Sequence, residues 1–596
     1  MTLDPRSRED TAHEGRLWVR LTRVCNNRCL FCLDSGAQDG TRIPEDQVLE
    51  LMKQGRDGGA TRLILSGGEP TLHPRFLDFV RQGRKLGYSW VQTISNGRLF
   101  AYEKFTREAT AAGLSEVTLS LPAHEPALFD ELVGVPGAFK QALAGLRNAL
   151  AQPDLVVSVD VVLNRRNIPY LPKILEFYLQ EGVREFDLLQ IVPFGRAYDP
   201  MKRDRGGMIY DPLQEAEPLR QALRLVDRPD VVVWTNRLDP PYLEGFEKWI
   251  QDPHKLDDEV RGRRYALTQF ACGEEMECRA EDRCRLCFLR RYCQDLEHAR
   301  DRLTSEVHQD DPAPLWWRLR SLEDGERLGR AVEKAREPGR SHHQPPHHVI
   351  LVAQSLAQGR ESLRRFHTDP PHPVFEHSAS PSPHSIRWVL DLQRAAKRRT
   401  GGVRELVESG ELGRYPLEGV ILHRGKDLEE ALEATSSPRG FQLAVGLNRE
   451  TAPVMKRYYG SPGKKDPPLE LRVFLEERLR LTESLDESKG DVDPREVFCG
   501  LQKSSKTSSV QTQDIPPCLT CGVSVSATPG PRLLDVSVLD ERGELDPQRF
   551  VDFHIRRGYR VYSLRCTECA HRAQCPGAPI QLIRHFGFRI LEPELA

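Results

Sequence analysis

From Leu17 the chain alternates short β-branched or apolar runs with longer stretches whose apolar residues recur every three or four positions, a pattern that predicts βα units around a parallel sheet. It predicts strands over Leu17–Arg23, Arg62–Ser66, Trp90–Ser95, Glu116–Leu121, Leu155–Leu163 and Glu185–Val192. Amphipathic helices are expected between them, over Pro44–Gly55, Pro74–Lys85, Tyr102–Ala112, Pro136–Ala151 and Ile168–Gln180. Six such units are too few for a closed eight-fold barrel, so the expected fold class is α/β with a partial (β/α)6 TIM-like barrel whose active face lies at the strand C-termini.

The patterning then changes. Residues 1–16 read as a disordered lead, 17–211 as the barrel and 212–300 as a cysteine-rich auxiliary domain. Residues 301–385 turn to Pro, His, Ser and Arg, as in Pro338-Gly-Arg-Ser-His-His-Gln-Pro-Pro-His-His348, and read as a linker with one strand available at Val349–Ala353. Residues 386–596 read as a second mixed α/β region with strands at Leu417–Leu422, Phe441–Val445 and Leu469–Phe474, a polar loop at Ser504–Thr512, and a closing cysteine block.

Composition adds little pull in any direction. The 596 residues carry a net charge of −2 with 39% hydrophobic and 29% charged residues, which gives no global attraction to nucleic acid or membrane. The charged N-terminus has no apolar h-region, and no run approaches a membrane span, so a cytoplasmic location is expected. In a reducing compartment the fourteen cysteines favour metal or cluster ligation over a disulfide framework.

The cysteines carry the candidate chemistry. Cys25-Asn-Asn-Arg-Cys29-Leu-Phe-Cys32 follows the first strand, so three thiols sit on the face where such folds place their chemistry. Three thiolates hold three corners of a four-iron cluster and leave the fourth iron open to a ligand. The competing reading is a zinc site completed by Asp34, although the loop lacks the paired Cys-x2-Cys knuckles such sites favour. After the second strand comes Ser66-Gly67-Gly68-Glu69-Pro70, whose glycines permit close ligand approach and whose carboxylate accepts from an ammonium group.

Together these motifs resemble the radical S-adenosylmethionine (radical SAM) superfamily over residues 17 to about 200. The resemblance implies a [4Fe-4S] cluster on Cys25, Cys29 and Cys32 with S-adenosylmethionine on the unique iron, and reductive cleavage of that cosubstrate to a 5′-deoxyadenosyl radical. It implies cofactor contacts from Phe31, Ser66, Gly67, Gly68, Glu69, Pro70, Ser95, Asn96, Ser120 and Gln190, and no catalytic residue beyond cluster and cofactor. An electron donor such as flavodoxin or ferredoxin is implied as partner.

Two further blocks share Cys-x2-Cys-x5-Cys spacing, Cys284–Cys287–Cys293 and Cys566–Cys569–Cys575, and resemble the SPASM and twitch auxiliary-cluster domains. One or two auxiliary Fe–S clusters are implied: one on Cys278, Cys284, Cys287 and Cys293 with Cys272 as competitor, and one on Cys518, Cys566, Cys569 and Cys575 with Cys499 or Cys521 as alternatives. Zinc is a competing reading for the first of these, and a chance likeness of spacing is the alternative to a true repeat. The repeat, with no Cys-x3-Cys-x2-Cys or Gly-Gly-Glu after residue 300, suggests one catalytic and one degenerate half. Auxiliary domains of this kind imply a peptide or protein side chain as substrate. A cofactor or tetrapyrrole precursor is the alternative within the class, and a non-catalytic zinc-binding scaffold the alternative outside it.

Overall fold

A computed structural model describes residues 15–199, 203–204, 207–211, 214–279, 281–304, 315–335, 348–367, 387–393, 402–460, 470–501, 510–523 and 532–595. The chain divides into two compact units, Met1–Asp252 with Cys278–Arg290, and Pro253–Glu277 with Arg291–Ala596. The disordered lead and the Pro338–His347 histidine run lie outside the described residues, except that Gly15 and Arg16 are ordered, Arg16 opening the first strand.

The first unit holds seven parallel strands in sequence order: β1 (Arg16–Thr22), β2 (Arg62–Gly67), β3 (Trp90–Ser95), β4 (Glu116–Ser120), β5 (Val156–Leu163), β6 (Glu185–Gln190) and β7 (Val232–Asn236). The sheet with its helices is an α/β half-barrel. It is larger than expected by one strand, because β7 pairs with β6 from the stretch assigned to the auxiliary domain. Helix Pro126–Val133 was also not anticipated; it opens with Pro at its first turn and ends at Gly134, whose φ of 69° closes the helix in the left-handed region.

Side-chain alternation gives this sheet two unlike faces. Leu17, Leu63, Val91 and Leu119 face the helices: a Cβ on Gly55 would fall 2.5 Å from Leu17, and one on Gly83 would fall 2.7 Å from Leu63. Helix Phe76–Lys85 buries Phe76, Phe79, Val80 and Gly83, one stripe at helical spacing, and each large apolar side chain there contributes about 1.5–3 kcal/mol. The other face is polar. At the strand N-termini Glu116 accepts from Arg62, from Trp90 Nε1 at 2.9 Å and from Gln92 at 2.8 Å, which closes that end. Toward the C-termini the same face carries Arg20, Ser66, Ser120 and Asp160.

The second unit contains eight parallel strands, in the order Val510–Thr512, Leu471–Leu475, Gln442–Leu447, Gly419–Leu422, Arg387–Leu392, His348–Ala353, Leu315–Leu319 and Arg532–Asp535. Two of these strands, with helices Leu322–Ala335 and Leu356–His367, come from the stretch 301–385 that composition assigned to a linker. The correction has a simple cause: charged, Arg-rich helices lower mean hydropathy while their apolar stripe, including buried Leu328, Ala331 and Leu363, still packs. Part of the expected polar loop, Val510–Thr512, is likewise a strand.

One face of this sheet packs Trp316, Ile350, Val389 and Leu533 into an apolar layer joined by Ile421. Two residues further along the same strands lie Arg318, Asp391 and His423, and the apolar layer gives way to ions. His423 Nδ1 lies 3.0 Å from both Glu476 oxygens and Nε2 lies 2.9 Å from Asp391 Oδ1, while Arg318 pairs with Glu477 at 2.7 Å. The strand beside them is bare at Gly446, where a Cβ would fall 2.4 Å from Glu476 Oε1 and displace that side chain. Burial alone would lower the imidazole, but the carboxylates of Glu476 and Asp391 outweigh it and raise the His423 pKa to about 10.

That shift makes the pair pH-dependent. A folded pKa above the unfolded value of roughly 6.5 contributes stability that is fully present below pH ~6.5 and is lost as pH rises toward the folded value. His423→Gln should cost about 3 kcal/mol near neutral pH and flatten the decline in stability between pH 7 and 9.5. Urea unfolding of both proteins at those pH values checks this, and parallel slopes would refute it.

Candidate functional site

The cysteine loop leaves β1 and is held from three sides within the first unit. Arg28 N–H and Leu30 N–H donate to the carbonyls of Val133 and Leu132 at 2.8 and 2.9 Å, so the unanticipated helix is a buttress of this loop. Arg196 reaches it from beyond β6, its Nη1 donating to Cys29 O at 3.1 Å and its N–H to Cys32 O at 2.9 Å. Gly195, at φ 58°, permits that approach, since a Cβ there would fall 2.3 Å from Cys32 O. Arg98 reaches it from beyond β3, donating to Asn26 O at 2.6 Å and Asn27 Oδ1 at 3.0 Å.

The thiols come together in this frame. Burial raises Cys25 to about 11, with added push from the charges of Glu69 and Cys32; burial also raises Cys29, reinforced by Cys25 and Cys32. Three mutually repelling, half-desolvated thiols are a donor set that a cation or cationic cluster stabilises, so the residues present fit an iron–sulfur cluster bound by thiolate. N–H groups already face the sulfurs, with Asn27 N–H 3.4 Å from Cys25 Sγ and Gln38 Nε2 3.4 Å from Cys32 Sγ. Asp34 pairs instead with Arg20. Among the described residues no three His, Cys, Asp or Glu side chains form a ready single-ion site.

The Gly-Gly-Glu segment has a packing role of its own. A Cβ on Gly67 would fall 2.3 Å from Thr22 O, and one on Gly68 would fall 2.3 Å from Val24 O. The glycines therefore let β2 press against the start of the cysteine loop, and the amides of Gly68 and Glu69 are spent on Thr22 O and Val24 O at 2.8 Å each. Glu69, 1% exposed, accepts at Oε1 from Thr71 N–H (3.2 Å), Thr71 Oγ1 (2.6 Å) and Ser95 Oγ (2.8 Å), and at Oε2 from Asn96 N–H (2.7 Å). Burial raises its carboxyl pKa against the pull of those donors. Asn96 Nδ2 then reaches Asn26 Oδ1 at 2.6 Å, which joins Glu69 to the cysteine loop. Pro70 opens the short 3-10 turn after Glu69 and is buried.

The remaining expected contacts separate by face. Ser66 and Ser120 lie on the polar face of the sheet, and Phe31 is buried in the cysteine loop. Ser95 lies on the helix-covered face and turns its hydroxyl to Glu69. Gln190 pairs in register with Leu163, on the face opposite Ser120, and accepts from the buried Tyr210 hydroxyl at 2.6 Å. The period-two alternation of β6 sends it there.

Asp160 was not anticipated. It is in register with Ser120 on the polar face, 7% exposed, with no hydrogen bond to Oδ1 among the described residues. Burial raises its pKa to about 6, opposed by Ser120. One acidic residue inside the apolar run Val-Val-Ser-Val-Asp-Val-Val-Leu was the available signal.

Of the later blocks, the last is gathered most clearly. Burial raises Cys518 to about 11, and the charges of Cys575, Cys566 and Cys569 add to it in that order, so these three thiols of the second unit lie within electrostatic reach of Cys518. Cys499 and Cys521 are bonded to each other as a disulfide with Cα atoms 5.2 Å apart, which corrects both the expectation against disulfides and their standing as alternative ligands. In the middle block Cys278, Cys284 and Cys287 belong to the first unit, and Cys272 and Cys293 to the second. Arg283, next to Cys284, stacks on Phe194 and Tyr198 at 4.1 and 4.4 Å and donates to Pro193 O at 3.2 Å. The Cys284 segment is thus docked on the same post-β6 loop that holds the cysteine loop.

Most of the half-barrel, the cysteine loop and the Gly-Gly-Glu turn fall together in a segment, residues 19–178, that matches the family model described as the radical SAM superfamily. Over 180 residues, 30% of this chain, the sequence is 32% identical to a protein named probable GTP 3′,8-cyclase from Saccharolobus islandicus (strain M.14.25 / Kamchatka #1), and 31% identical to one so named from Sulfurisphaera tokodaii. The match spans 58% and 56% of those proteins, little more than half their length. Among solved structures, Streptococcus suis SuiB is 14% identical, with a TM-score of 0.31 over 38% of this chain and 50% of its own.

Because Glu69 satisfies four donors at the junction of β2, β3 and the cysteine loop, Glu69→Ala should cost about 3 kcal/mol and loosen the loop. Hydrogen exchange at Asn96 N–H and Thr71 N–H should accelerate in the variant; unchanged protection there would contradict the role.

Proposed function

We propose that the chain is a radical SAM enzyme that acts on a peptide or protein side chain. The observation that carries the class is the thiol triplet of Cys25, Cys29 and Cys32 on the active edge of a half-barrel matching the radical SAM superfamily. When bound there, a [4Fe-4S] cluster and S-adenosylmethionine supply one-electron cleavage of the sulfonium and a 5′-deoxyadenosyl radical that removes a hydrogen from substrate.

The protein's own part is binding and orientation. Arg98, Arg196 and the carbonyls of Leu132 and Val133 hold the loop that presents the thiolates. Glu69 fixes the turn on which Asn96 stands, and Ser66, Ser120 and Asp160 line the polar face beneath. A single-electron donor of flavodoxin or ferredoxin type is part of the proposal.

The curated relatives are named for a GTP reaction, which keeps a nucleotide-derived cofactor precursor as the second reading. The polar face favours the first. A triphosphate needs surplus cation, whereas on this face Arg20 pairs with Asp34 and Asp160 adds a buried carboxylate, and the cations left over, Arg98 and Arg196, are engaged with the cysteine loop. Auxiliary clusters on Cys518, Cys566, Cys569 and Cys575, and on the segment of Cys278, Cys284 and Cys287, complete the proposal; the mutual electrostatic influence of the first set supports it more directly.

Anaerobic reconstitution with iron counting and a 5′-deoxyadenosine assay tests this. Cys29→Ala should abolish 5′-deoxyadenosine release and lower iron by about four atoms per chain, one cluster. Cys569→Ala should lower iron while leaving uncoupled cleavage in place. Wild-type release from Cys29→Ala, or colourless protein holding stoichiometric zinc, would overturn the reading.

A further inference from the structure

We infer that Arg98 and Arg196 are a pair of positioning cations that set the reduction potential of whatever cluster the Cys25–Cys32 loop holds; this rests on the proposed ligation by that triplet. The two guanidiniums reach the loop from different strand ends, β3 and β6, and grip opposite parts of it. Arg98 Nη1 spans Asn26 O and Asn27 Oδ1, beside Cys25, while Arg196 Nη1 donates to Cys29 O, its backbone amide holding Cys32 O.

Each contact is to a neutral carbonyl, so the loop leaves both positive charges unneutralised by a carboxylate at the point of contact. Arg98 is braced at its other nitrogen by Gln141 Oε1 at 2.7 Å, again a neutral acceptor. The third guanidinium near the loop differs, since Arg20 is matched by Asp34. Arg98 and Arg196 thus bring net charge to the loop where Arg20 brings almost none.

The geometry suits an anionic occupant. A four-iron cluster on three thiolates is net negative, and more so once reduced, so a nearby fixed cation stabilises the reduced state more than the oxidised one. Partial burial strengthens the effect relative to bulk water. The buried carboxylate of Glu69 acts in the opposite sense from the β2 side, and the two arginines outnumber it.

The test is an EPR-monitored redox titration of the anaerobic full-length protein, following the signal component that Cys29→Ala removes. Arg98→Gln and Arg196→Gln should each move the midpoint of that component to more negative potential, while Arg98→Lys and Arg196→Lys should stay close to wild type. Unchanged midpoints in both Gln variants, or Lys variants displaced as far as Gln variants, would overturn the inference. If a Gln variant loses the component altogether, the matching Lys variant decides: retention at the wild-type midpoint supports the role of charge, and loss contradicts it. A wild-type protein with no component sensitive to Cys29→Ala would instead refute the proposed ligation, which keeps the two failures distinct.

Discussion

The first unit depends on one buried carboxylate. Glu69 sits with almost no exposure at the meeting of three segments, and its two oxygens accept from Thr71, Ser95 and Asn96. A carboxylate taken from water is costly unless its lone pairs are filled, and here four donors come from the protein. Filling them requires the ends of β2 and β3 to converge, and convergence requires bare backbone at Gly67 and Gly68 against Thr22 and Val24. The cysteine loop begins at that contact, so thiol placement follows from the same constraint.

The two units answer the question of what fills a parallel sheet's polar end in opposite ways. In the first, Ser66, Ser120 and Asp160 leave acceptors on a face that helices do not cover. In the second, an apolar layer from Trp316 to Leu533 is topped by Arg318, Asp391, His423, Glu476 and Glu477, whose three carboxylates are matched by two cations and by Arg557 on Glu477. Closing that end with internal ions accords with the lack of a thiol triplet and a Gly-Gly-Glu turn after residue 300.

Much of the first unit was legible because period-two and period-3.6 patterns are strong there: Trp90–Ser95 is the strand expected, and five further strands lie within two residues of it in their bounds. What was missed is tertiary in origin. The short strand Val232–Asn236 gains its identity only by pairing with β6. The elements between 315 and 367 are hidden by charged outer faces. The Tyr210–Gln190 hydrogen bond joins residues 20 apart and the Cys499–Cys521 bond residues 22 apart, neither with a local signal. The cysteine loop, by contrast, was legible in spacing alone, whereas the arginines that hold it come from loops 72 and 167 residues away.

The central claim is that the Cys25–Cys32 loop holds a cluster with one iron open to S-adenosylmethionine. The most direct measurement is the EPR spectrum of the dithionite-reduced anaerobic protein before and after adding S-adenosylmethionine, with Cys29→Ala as control. The account predicts that the cosubstrate alters the signal of the wild type and leaves that of the variant unchanged. A wild-type spectrum indifferent to S-adenosylmethionine, or an equal response from Cys29→Ala, would contradict it.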